Sequence, residues 1–102
     1  MGGTTIMKYG KTKEEALEAL RKGMLNGLGM VYPDGDAALI EIPDKTMELY
    51  RPIEVWKDNT PVNIKFEPIE KGDVWMAIAV AGAFKPKQPK GAKWFACAHM
   101  HT

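Results

Sequence analysis

The chain has one cysteine, no serine and no long apolar run. A single cysteine, Cys97, excludes an internal disulfide framework. Without serine there is no serine nucleophile. No stretch reaches the ~20 apolar residues that a membrane span needs. No apolar run follows a basic N-terminus, so a secretory signal is not expected. Charge of one sign is also scarce, with 14 basic residues against 13 acidic ones for a net +1. That balance argues against coating of nucleic acid by the whole surface. One free thiol and seven methionines fit a reducing compartment, and the expected location is cytoplasmic. Gly27-Leu28-Gly29 is too short for a phosphate-binding fingerprint, and no lysine-serine or lysine-threonine pair follows it at the required spacing.

What remains is enough for one folded unit. A length of 102 residues matches one domain, and a chain of this size buries only about 60–70% of its unfolded surface. The 45% hydrophobic and 26% charged residues are ordinary globular values and disfavour long disorder.

One helix is written clearly. Thr12 is an N-cap whose hydroxyl can accept from an unpaired amide of the first turn, and Glu15 three residues later completes a capping box. Glu14 and Glu15 sit at the positive end of the helix dipole. Ala16, Leu17, Leu20, Met24 and Leu28 recur at three- and four-residue steps, giving one apolar stripe. The helix is expected over Lys13–Leu25, with Gly27 and Gly29 supplying the turn.

The remaining segments read as strands. Met1–Thr5 is small and polar and is expected to fray, and Ile6–Tyr9 makes a short first strand. Tyr32-Pro33-Asp34-Gly35-Asp36 is a turn in which Gly35 takes a positive φ. Ala37–Ile42 reads as a strand. Pro52 demotes Met47–Lys57 to an edge or bulged strand. Lys57–Pro61 reads as a loop, and Val62, Ile64 and Phe66 alternate as a half-buried strand. Val74–Ala81 is almost wholly apolar and is expected to be the central strand, covered on both faces, with Trp75 in the core. Ala92–His101 closes the chain. The expected fold is α+β: one N-terminal helix packed on an antiparallel sheet of about five strands, in a single domain over residues 1–102.

Three constellations carry possible chemistry. The first is the segment Lys85-Pro86-Lys87-Gln88-Pro89-Lys90-Gly91, followed by Lys93 and Trp94. Its two prolines keep it extended and solvated. Its four lysines stand against no acid between residues 85 and 93, leaving ten basic residues against thirteen acidic ones in the rest of the chain. Lysines meet an acidic protein patch or nucleic-acid phosphates, and aromatic rings stack on unpaired bases. The second is aromatic: Trp56 stands at a loop edge and, with Tyr50 and Tyr32, could line a groove. The third is Cys97, His99 and His101, which alternation puts on one face of the last strand. All three residue types bind zinc or copper, and a fourth ligand would come from Asp34, Asp36 or Glu41. Neighbours on that strand face are ~7 Å apart, beyond the reach of a cysteine–histidine catalytic pair.

The expected function is therefore non-catalytic: a small accessory protein, inhibitor or assembly subunit, of the kind phages and mobile elements carry. It would contact an acidic macromolecular partner through Lys85, Lys87, Lys90, Lys93, Trp94 and Trp56, with no cofactor and no membrane. The alternatives are a single-stranded nucleic-acid-binding module and a metal-binding protein using Cys97, His99 and His101. A homo-oligomer is also possible through open edges such as Met47–Lys57.

Overall fold

A computed structural model describes residues 2–84 and 86–102. The order is β1 (Gly3–Gly10), α1 (Lys13–Gly27), β2 (Tyr32–Pro33), β3 (Ala37–Glu41), β4 (Met47–Lys57), β5 (Thr60–Ile69), α2 (Trp75–Ala83) and β6 (Trp94–His101). The strands form one antiparallel sheet in the order β1-β6-β3-β4-β5, with β2 also paired to β6. The α+β class and the helix-on-sheet packing are as the sequence leads one to expect.

β6 is the spine. Met7 of β1 and Ala38 of β3 flank Cys97 from opposite sides. Because side chains alternate along a strand, β6 feeds two different cores. Ala96, Ala98 and Met100 join Ala16, Leu20, Met24 and Leu39 under α1. Phe95 and Cys97 join Ala38, Ala77 and Ala81 under α2. The two helices thus cover opposite faces of the sheet.

α1 starts as its sequence dictates, with Thr12 Oγ1 accepting from the Glu15 amide at 3.1 Å. The Glu15 carboxylate reaches back to the Lys11 amide at 3.0 Å. The helix runs to Gly27, slightly past its expected end, and Gly29 turns the chain with φ +102°. Gly35 takes φ +88° in the turn before β3. The expected loop at Lys57–Pro61 is tighter than anticipated. Asp58 and Asn59 both adopt positive φ, and a two-residue turn closes the long β4–β5 hairpin.

Two expectations are overturned. Val74–Ala81 is not a central strand: Trp75–Ala83 is a helix, and the interior of the sheet is held by β6 and β3. The stretch lacks polar positions, so a helical period has no contrast to show. Its alanines, the best helix formers, decide the outcome. Trp75 consequently points to solvent, 65% exposed, rather than into the core. Residues 3–5 do not fray, because Gly3, Thr4 and Thr5 pair with His101, Met100 and His99. The expectation for Met47–Lys57 holds: β4 is bulged, with the register shift at Val55/Trp56, and Pro52 pairs opposite Phe66 in a part of β4 that overhangs β3 and has an open edge.

Candidate binding surface

Residues 86–93 are fastened to the body at several points and turn once, at Gly91. The Tyr9 hydroxyl donates to the Pro86 carbonyl at 3.0 Å. Gln88 Nε2 donates to the Ala92 carbonyl at 3.1 Å, and the Ala92 amide donates to the Pro89 carbonyl at 3.2 Å. The Lys93 amide donates to the Gly10 carbonyl, and the Lys93 carbonyl accepts from the Ile42 amide at 2.9 Å. Gly91, at φ +83°, makes the turn between the two halves. Lys87, Lys90 and Lys93 are all exposed. Among the described residues the ion pairs are Lys13–Glu48, Arg21–Glu18, Lys22–Glu18 and Arg51–Asp36, and none uses these three lysines. Lys85 lies outside the described residues.

The tryptophans are distributed differently. Trp94 is half-buried on the α1 side, where the Lys13 ammonium lies 5.2 Å from its ring centroid. Lys13 also pairs with Glu48, whose carboxylate accepts from the Tyr50 hydroxyl at 2.8 Å. Hydrogen bonds from Lys13 and then Tyr50 hold the Glu48 carboxyl below its usual range. Burial, and then the bond to Glu48, push the Tyr50 hydroxyl up to about 12. Trp94 is thus roofed by this network. Trp56 is 42% exposed near the hairpin tip, its indole N–H donating to Glu54. Tyr50, six residues before Trp56 on the same strand β4, packs edge-on against Phe66, and Tyr32 sits on β2 opposite His101, so the three residues suggested for an aromatic groove are spread along the sheet.

Cys97, His99 and His101 do share one face of β6, yet their surroundings diverge. Cys97 is sealed against Ala38, Ala77 and Ala81, and burial pushes its thiol up to about 11. The His99 ring is hydrogen-bonded through Nδ1 to Thr5 Oγ1 at 2.9 Å. His101 is exposed. Among the described residues no group of three or more His, Cys, Asp or Glu side chains is placed to hold a metal ion. Asp36, a suggested fourth ligand, instead pairs with Arg51 and accepts from the Asp73 amide.

One surface escaped the sequence reading because its helix did. The outward side of α2 carries Trp75, Ala79, Gly82 and Ala83, all exposed, and Phe84 at its end is 72% exposed. No charged residue lies on the helix. Beside it runs an apolar cleft of about 260 Å³ lined by Ile40, Ile42, Met47, Phe95, Gly82 and Lys45. The cleft exists because α2 packs mainly on β6 and β1, leaving the neighbouring part of that sheet face open. The signal that could have found this surface was the alanine content of residues 77–83.

Among the described residues no helix is long and apolar enough to cross a membrane. The chain matches no protein-family model, no curated protein and no solved structure.

Proposed function

We propose that this is a non-catalytic binding protein of the accessory, inhibitor or assembly type, and that it contacts an acidic protein partner through Lys87, Lys90 and Lys93. The observation that carries this reading is the pairing of free charge with a fastened backbone. The three ammonium groups stand in water with no carboxylate of their own among the described residues. The chain that bears them is hydrogen-bonded at Pro86, Pro89, Ala92 and Lys93. A segment ordered in advance loses less entropy when a partner binds. Complementary charge raises the encounter rate and selects against basic partners. Trp94, roofed by Lys13, contributes to the framework of the loop rather than to its contact face.

The direct test compares two probes at low salt, poly-glutamate and a short oligothymidine, against the wild type and the Lys90→Glu/Lys93→Glu variant. Poly-glutamate should bind the wild type, and the double variant should bind about tenfold or more weakly. Absence of poly-glutamate binding overturns the proposal. If only oligothymidine binds, with a slope near −2 in log K against log salt for about three phosphates, the single-strand reading replaces it.

A further inference from the structure

We infer that the outward face of α2 is the contact surface of a two-fold symmetric dimer, in which two copies of α2 lie antiparallel and Trp75 of each enters the apolar cleft beside Gly82 of the other. This goes beyond the acidic-partner reading and does not depend on it. A helix that is apolar all round is normally buried, but α2 buries only the side bearing Ala77 and Ala81. Its other side leaves a tryptophan in water at one end, and small Gly82 and Ala83 followed by an exposed Phe84 at the other.

Those two ends fit each other. A two-fold interface requires that one patch hold both a shape and its complement. Trp75 projects at the N-terminal end. Gly82 lies seven residues on, about 10 Å along the axis, and a Cβ built there would meet nothing within 4 Å. Next to Gly82 is the cleft of Ile40, Ile42, Met47 and Phe95, with Lys45 on its rim. Antiparallel pairing about Ala79 brings each indole to the other copy's Gly82, and a lysine near an indole face adds cation–π attraction.

The charges agree with the same arrangement. At the N-terminal end stand Glu70, Asp73 and Asp34, opposed by Lys71, while Asp36 is already held by Arg51. Beside Gly82 at the C-terminal end stands Lys45 on the rim of the cleft, and it takes part in none of the ion pairs among the described residues. Antiparallel pairing sets the acidic end of one copy against the basic end of the other, twice. Parallel pairing would set like against like. The helix dipoles favour the same choice. An interface centred on a nine-residue helix is small beside the roughly 800 Å² per partner of standard interfaces, so a micromolar dimer is expected.

Sedimentation over about 5–500 µM, a range that brackets a micromolar constant, tests this. The wild type should pass from monomer to dimer. Ala79→Glu, on the exposed side and clear of the core, should stay monomeric with an unchanged circular dichroism spectrum. Asp73→Lys and Lys45→Glu should each weaken self-association about tenfold, and an equal mixture of the two should restore it, because both cross-pairs are then opposite in sign. A wild type that stays monomeric throughout, or an Ala79→Glu variant that dimerises as well as the wild type, overturns the inference. A monomer that instead co-sediments with phosphatidylserine-containing vesicles assigns the face to lipid and likewise overturns it. The poly-glutamate test uses Lys90 and Lys93, so either proposal can fail while the other stands.

Discussion

The two faces of the sheet are built to different standards. Under α1 the contact residues are large and fully sealed: Leu20, Met24, Leu39 and Met100 have no measurable exposure. Under α2 four of the five buried residues are small, Ala38, Ala77, Ala81 and Cys97 beside the one ring of Phe95, with half-buried Val74 and Ile78 at the margin. α1 opens on a side-chain cap and shows a polar outer face, whereas α2 has no capping side chain and an apolar outer face. The contrast shows that only one helix is finished by the chain itself. The α1 side completes a domain core, and the α2 side keeps apolar surface that folding does not cover.

The largest expected effect tests that difference directly. Leu20→Ala removes a sealed side chain between α1 and the sheet and should cost about 2–5 kcal/mol. Ile78→Ala, at the half-buried margin of α2, should cost less than about 2 kcal/mol. Denaturant midpoints of the two variants give the ratio. Equal losses would erase the distinction between the faces.

The next effect belongs to the α2 side. Burial holds the Cys97 thiol protonated up to about pH 11, against about 9 for an unburied thiol. Above pH 9 the unfolded chain therefore binds fewer protons than the folded one, and stability falls as pH rises. The contribution is complete below pH 9 and is lost by about pH 11, amounting to roughly 2–3 kcal/mol. The raised Tyr9 and Tyr50 hydroxyls act in the same direction at higher pH. Urea titrations at about pH 8, 9, 10 and 11 on the wild type and Cys97→Ala should show the variant losing less with pH. Equal slopes would mean that α2 seals its face less well than the static packing indicates.

The same contrast explains what could be read in the sequence. α1 was legible because its two faces differ in polarity, so Leu20 and Met24 announce a stripe and Thr12 with Glu15 announces its start. The strands were legible where turns punctuate them, at Gly35 and between β4 and β5. α2 was not, because periodicity needs contrast and residues 74–84 offer none except in side-chain size. The exposed Lys-Pro segment was legible from its prolines and charge. The roofing of Trp94 was not, since it depends on Lys13, Glu48 and Tyr50 converging from α1 and β4. Cys97, His99 and His101 were correctly placed on one face, but the neighbouring elements, α2 over Cys97 and Thr5 of β1 beside His99, decide what each touches.

The smallest effect probes the cap that α1 has and α2 lacks. Thr12→Ala removes the acceptor for the Glu15 amide and should cost about 1 kcal/mol. Its consequence should also be local. Lys13, the first residue of α1, lies over Trp94 and pairs with Glu48, so fraying of the first turn loosens the roof of that indole. Tryptophan emission should shift slightly to the red in Thr12→Ala and return to its original position in Thr12→Ser, which restores the acceptor. A Thr12→Ala variant that loses stability without any change in emission would show that the roof over Trp94 is held from β4 alone. The order of the α1 side would then begin at the sheet rather than at the cap.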